Sequence, residues 1–172
     1  MNLKDAIQNR HSVRSFSEKK IPDHIIFDII RFAHLAPSAG NLQARDFIVV
    51  DDHEKKLQLS KAALDQDFIV EAPIALVICA NLDRIAPYGK RGKELYCIQD
   101  TAAAVEHILL LAVEYGLGAC WVGAFNEHEV STILKLPTSI RPVALIPLGY
   151  PQGSIESSSR IDTKKLLHHN EW

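Results

Sequence analysis

The segment Asn9-Arg10-His11-Ser12-Val13-Arg14 places two guanidinium groups, an imidazole and a hydroxyl within six residues. Guanidinium forks match phosphate oxygens in pairs and a serine hydroxyl adds a donor, so the set suits a phosphate-bearing ligand. The same residues follow a short helix predicted over residues 3 to 9. Cations at a helix C-terminus complement its macrodipole by roughly a few tenths of a kcal/mol. Phosphate binding and helix capping both fit the hexapeptide.

Two further stretches could meet a ligand. Ala36-Pro37-Ser38-Ala39-Gly40-Asn41-Leu42-Gln43 is rich in turn residues and reads as a helix-to-strand connection. Its small residues would also let backbone approach a flat ring, where the amides of Asn41 and Gln43 can bond ring heteroatoms. Gly118-Ala119-Cys120-Trp121-Val122-Gly123 reads as a core strand. Gly123 is its exception, because glycine in a strand often marks close approach by a ligand or another backbone.

The elements that must position these residues follow from pattern. Pro22, Asp23 and apolar residues at Ile26, Ile29, Ile30 and Ala33 predict a helix that stops at Ala36-Pro37, with Pro22 at its first position. Phe47 to Val50 is a strand and Asp52 to Ala63 a helix. Ile74 to Ala80, Ala119 to Phe125 and Val143 to Leu148 are continuous apolar runs, the mark of strands buried on both faces. Thr101 to Tyr115 is apolar nearly all round, so it belongs in a large core or against another subunit, with Asp100 as its N-cap and Gly116 as its stop. Asn126 and Glu129 form a capping-box-like start to a helix ending at Leu136-Pro137. Arg84 to Lys93 reads as a basic loop. The whole of residues 1 to 172 reads as a single domain, a sheet covered on both faces.

Composition narrows the classes. With 47% hydrophobic residues and a formal charge of -2, the chain resembles an ordinary globular protein with no electrostatic case for nucleic acid. Cys79, Cys97 and Cys120 are widely spaced and lack zinc-site partners, which fits a reducing, cytoplasmic setting. No signal-peptide pattern opens the chain, and no apolar run is read as long enough for a membrane span. Gly116-Leu117-Gly118 fails as a dinucleotide fingerprint, because the third glycine would fall on Trp121 and a helix precedes it. His128-Glu129 lacks the second histidine of a zincin, and His168-His169 reads as tail.

Taken in order, RHSVRSF, APSAGNLQARDFIVV, EAPIALVICAN, ELYCIQDTAAAVEHILLLA, GLGACWVGAF and RPVALIPLGYP resemble the nitroreductase family of FMN enzymes. The resemblance implies an α+β fold, a central mixed sheet covered by helices, and an intimate homodimer with FMN at the subunit interface. It assigns Arg10, His11, Ser12 and Arg14 to the FMN phosphate and ribityl chain, with Arg160 returning to the phosphate. Pro37, Ser38, Ala39, Asn41 and Gln43 would reach the partner subunit's flavin, and Val122 and Gly123 would run beside the isoalloxazine ring. Ile161 and Asp162 replace the lysine and proline common after the late arginine. His11 stands where arginine is frequent, and His107 where asparagine is expected. The implied activity is two-electron ping-pong transfer from NADH or NADPH to a nitroaromatic, quinone or similar flat electrophile, with no essential acid-base side chain. A dehalogenating or flavin-consuming enzyme, or a flavin-binding protein without turnover, would share these residues. Arg84, Lys90, Arg91 and Lys93 could meet NAD(P)H phosphates or simply face solvent, and Tyr88 with Gly89 could form part of a lid.

Overall fold

The run beginning at Ile74 has no polar face, and such a strand is stable only with cover on both sides. The computed structural model, which describes residues 1–153 and 158–172, supplies that cover. In chain order the elements are α1 (Leu3–Asn9), α2 (Asp23–Ala33), β1 (Arg45–Val50), α3 (His53–Ala62), α4 (Phe68–Glu71) and β2 (Ile74–Asn81). There follow a single turn α5 (Gly89–Arg91), the long α6 (Cys97–Glu114), β3 (Gly118–Ala119), α7 (Glu127–Ile133) and β4 (Ile140–Gly149). The strand order is β1-β2-β4-β3.

Every ladder in this sheet is antiparallel. The expected mixed sheet keeps its parallel component in one bridge, Ser12 to Ala119. Along β2 the side chains alternate. Leu76 and Ile78 join Ala144 and Ile146 of β4 against Ile29 and Ala33 of α2 and Val105 and Ile108 of α6. Ala75, Val77 and Cys79 face the other way, onto Leu59 and Ala62 of α3, Ile69 of α4 and Val130 of α7. Each large apolar side chain in these layers contributes about 1.5–3 kcal/mol on burial. Lys56 is buried too, and its ammonium donates to the carbonyls of Val70, Ala72 and Pro73, fixing the approach to β2.

Several boundaries differ from the sequence reading, each for a local reason. The basic segment is not a loop. Ala86–Tyr88, α5 and a π-helical turn at Gly92–Tyr96 lead straight into α6. Buried Ile85 and Cys97 anchor this path, and Gly92 lets it close, since a Cβ there would lie 2.6 Å from the Tyr88 Cβ. Asp100 therefore lies inside α6, not at its N-cap. The helical path Ala86–Glu114 is, by length and composition, long and apolar enough to cross a membrane, contrary to the sequence reading. Its buried side is part of the sheet's core.

The strand expected over Ala119 to Phe125 is a ladder at Gly118–Ala119 and a separate bridge from Val122 to Leu145. The Cys120 N–H donates to the Pro147 carbonyl, but proline has no N–H to return, so the ladder breaks there. Pro22 precedes the first helical residue of α2 rather than occupying it. The Asn126 side chain caps α7 and reaches Glu129 as its spacing suggested, although α7 ends at Ile133. Gly116, with φ of 67°, follows the end of α6 as expected.

Candidate functional site

The N-terminal basic segment is held by a single strand-like contact. After α1, Arg10 turns extended, and the Val13 N–H donates to the Ala119 carbonyl at 3.0 Å. Val13 is buried against β3. Gly118 makes that contact possible, because a Cβ there would lie 2.6–2.8 Å from the Val13 side-chain atoms. Arg10 and Ser12 consequently line a cavity of about 410 Å³ together with Arg160, Glu106 and Trp121. Arg160 reaches this cavity from the far end of the chain.

Two guanidinium groups outnumber the one carboxylate here. Among the described residues Arg10 forms no ion pair, and Arg160 donates only to the carbonyls of Ser158 and Ser159, at 3.3 and 3.2 Å. Both charges thus stand ready for an anion, with the Ser12 hydroxyl beside them. Arg14 is placed differently, with its guanidinium carbon 6.0 Å from the Phe68 ring centroid. Burial pushes the Cys120 thiol up, an effect that Arg14 and Ser12 partly oppose. His11 is half-buried and is not among the residues lining the cavity.

The loop from Ala36 to Gln43 is a second, separately built structure. Arg45, the first residue of β1, is only 2% exposed. Its Nη2 donates to the carbonyls of His34 (2.8 Å) and Ala36, and its Nη1 to those of Pro37 (3.0 Å) and Asp100 (3.2 Å). The Asp100 carboxylate in turn accepts the Ala39 N–H at 2.9 Å. The Ser38 hydroxyl accepts the Gln43 N–H at 3.0 Å, so this serine is engaged within the loop. Arg84 closes the far side, donating to the carbonyls of Gln43 and Arg45 at 2.8 Å each and pairing with Asp46.

These bonds hold Gly40, Asn41 and Gln43 at φ of 55°, 56° and 51°, a region costly for the two residues that carry a Cβ. The Tyr88 hydroxyl lies 2.6 Å from where a Gly40 Cβ would stand, so Tyr88 packs on this loop. Burial lowers the Arg45 pKa, and the nearby Asp100 charge raises it.

Within one chain the structure brings Arg10, Ser12 and Arg160 together but does not bring Pro37, Ser38, Ala39, Asn41 or Gln43 into their cavity. Val122 and Gly123 also lie outside its lining. Val122 exchanges backbone hydrogen bonds with Leu145 at 2.9 and 3.0 Å and packs its side chain in the core. Gly123 is exposed, and a Cβ there would meet no protein atom within 4 Å. Its lack of a side chain is therefore not required by packing within this chain.

The basic segment also reads differently in three dimensions. Arg84 is spent on the loop, Lys90 pairs with Glu94 at 3.7 Å, and Arg91 donates to the Tyr96 hydroxyl at 3.1 Å. His107 Nδ1 lies 3.4 Å from the Phe32 carbonyl, in keeping with a structural histidine, and His168 stacks on Trp172. Sequence reasoning overlooked Arg45 and Glu106, and took Asp100 only as a helix cap and Trp121 only as part of a core strand. An arginine opening the strand RDFIVV, directly before Asp46 and an apolar run, was the available signal, since a charge at such a position needs partners.

Comparison with known proteins gives this geometry its context. The profile of the Nitroreductase family matches residues 7–67 and 60–150. An Archaeoglobus fulgidus protein with the provisional name NADH dehydrogenase/NAD(P)H nitroreductase is 33% identical, over 96% of both chains. The FMN reductase (NADPH) of Bacillus subtilis is 25% identical over 99% of this chain and 74% of its own length. The structure of B. megaterium NfrA2 superposes with a TM-score of 0.92 at 27% identity, covering 100% of this chain and 76% of that one.

Proposed function

Because the chain belongs to the nitroreductase family of oxidoreductases, we propose that it binds FMN through Arg10, Ser12 and Arg160 and oxidises NADH or NADPH. The observation that carries this reading is the convergence of those three residues, from opposite ends of the chain, on one cavity. The donor set fits the phosphate end of FMN, because two guanidinium groups without carboxylate partners among the described residues can fork onto its oxygens. The open space where a Gly123 Cβ would stand fits a flat ring lying close to the backbone. The Bacillus relative named as an FMN reductase supports the same cofactor.

When bound, FMN would supply hydride acceptance from the nicotinamide and two-electron delivery to a flat electrophile such as a nitroaromatic or quinone. The chain's own part is to bind and orient. Arg10 and Arg160 neutralise the phosphate, Ser12 donates to it, and Glu106 keeps the cavity from becoming a general anion trap. Asn41 and Gln43 present amides on a loop that lies outside the cavity of their own chain. This supports a homodimer in which each loop serves the partner's cofactor. Burial pushes the thiol of Cys79 up to about 12 and raises those of Cys97 and Cys120, so none is a thiolate nucleophile near neutral pH. Three free, buried cysteines also support a cytoplasmic setting.

The test compares FMN with riboflavin, which lacks the phosphate. Charge-assisted hydrogen bonds contribute about 1.5–3 kcal/mol each, so FMN should bind at least about tenfold more tightly. Arg10→Ala and Arg160→Ala should erase most of that preference. Equal affinity for FMN and riboflavin in the unaltered protein would refute the phosphate assignment.

A further inference from the structure

We infer that Arg45 and Asp100 are positioning residues for cofactor binding: a buried clamp that sets the Ala36–Gln43 loop in its ligand-ready shape before any ligand arrives. This rests on the reading that the loop contacts FMN, and it assigns a task to two residues that would touch no ligand.

The geometry is specific. Four carbonyls are met by one guanidinium: that of His34 at the end of α2, those of Ala36 and Pro37 at the loop's start, and that of Asp100 on α6. A helix C-terminus leaves its last carbonyls unsatisfied, and the chain leaves α2 with the Leu35 and Ala36 N–H groups bonded to Phe32 and Ala33. Arg45 takes up carbonyls that this exit leaves over. Its fork presents fixed donors in a plane, which an ammonium cannot reproduce.

Asp100 completes the clamp from the opposite side by accepting the Ala39 N–H. One backbone donor and three loop or helix-end carbonyls are thereby tied to two buried, oppositely charged side chains, which meet through the Asp100 backbone carbonyl. Among the described residues, Arg45 Nε and Asp100 Oδ2 have no hydrogen-bond partner, although both are buried. A fold seeking stability alone could seat apolar side chains here, because buried charges rarely outperform well-packed hydrophobic residues. What the two charged side chains add is direction.

The loop needs direction. It carries Asn41 and Gln43 at positive φ, a conformation that surrounding contacts must impose. Arg45 and Asp100 impose it at the loop's start, while Arg84 and the Ser38 hydroxyl hold its end. Pre-paying this ordering lowers the cost of binding, which is how pre-organisation raises affinity.

The test measures amide hydrogen exchange of the dimer without added FMN, then FMN affinity by quenching of flavin fluorescence. Asp100→Ala removes the acceptor for Ala39, so the Ala39 and Gln43 amides should exchange at least about tenfold faster while core amides such as Ile108 keep their protection. FMN affinity should fall about tenfold. Asp100→Asn, which keeps an acceptor oxygen, should restore most of both. Should Asp100→Ala fail to fold, Arg45→Lys provides the same test, since one ammonium cannot serve four carbonyls.

The clamp is overturned if loop exchange and FMN affinity stay at their original values. It is equally overturned if core and loop protection fall together, which would mark a general stabilising role. If the unaltered protein binds no FMN, the functional reading fails instead, and with it the cofactor role of the clamp. The exchange arm then reports only on loop order.

Discussion

Gly118→Ala tests whether β3 positions the basic segment. The glycine needs no unusual backbone angle, so the effect of alanine is steric alone. The new Cβ would lie 2.6, 2.7 and 2.8 Å from Val13 Cγ2, Cβ and Cγ1. Rotating the Val13 side chain cannot relieve a clash that includes its own Cβ, so the Val13 backbone must move by about 1 Å to restore ordinary carbon contact near 3.5–4.0 Å. That motion strains the Val13 N–H bond to Ala119. Overpacking costs about 1–3 kcal/mol and the hydrogen bond about 1, offset by up to about 1 because alanine restricts the unfolded chain. The net loss of about 1–4 kcal/mol should lower Tm by roughly 2–16 °C in a domain of this size. Arg10 and Ser12 travel with Val13, so FMN affinity should fall as well. Differential scanning calorimetry and fluorescence titration read the two effects. A Gly118→Ala protein with unchanged Tm and unchanged FMN affinity would refute the claim that this contact places the site.

Gly123→Ala makes the opposite case: with no protein atom near the added Cβ, stability should stay within about 0.5 kcal/mol while FMN binding weakens. Glu106→Gln removes the carboxylate lining the Arg10 cavity, and titration should show tighter FMN binding, more so at low salt than at high. A thiol reagent should find almost no reactive cysteine in the native protein and three after denaturation, since all three thiols are buried; fast native labelling would contradict their raised pKa values. Hydrogen bonds from Arg141, at 2.8 and 2.7 Å, hold the Glu127 carboxyl below its ordinary 4.5. A carboxyl with a depressed folded pKa stabilises above its unfolded pKa and loses that contribution as pH falls through the folded one. The pair is partly exposed, so Glu127→Gln should lower Tm at pH 7 by the equivalent of less than about 1 kcal/mol. That difference should shrink below pH 4.5.

Much of this fold is legible because its signals are local. The apolar run over Ile74 to Ala80 could only be a strand buried on both faces, and it is. The Asn126–Glu129 spacing announced a helix start that the side chains make as written. What the sequence hid was non-local. The ladder at Cys120 breaks because of Pro147, a residue far along the chain that becomes its neighbour only in the sheet. The basic segment is helical because Ile85 and Cys97 are buried, a fact absent from its own polar composition. The cavity lined by Arg10 was half legible: Arg10 and Ser12 stand out as a cluster, whereas Arg160 required the resemblance and Glu106 required the fold. Arg45 stayed hidden and Asp100 was read as a helix cap, because their partners are backbone carbonyls and an N–H, which carry no sequence signature.

The most direct measurement is the visible spectrum of the protein mixed with FMN and passed through gel filtration, before and after anaerobic NADH or NADPH. The account predicts flavin bands that stay with the protein and bleach within the mixing time with at least one of the two donors. Protein that emerges without flavin, or flavin that stays bound and remains oxidised with both donors, would contradict it.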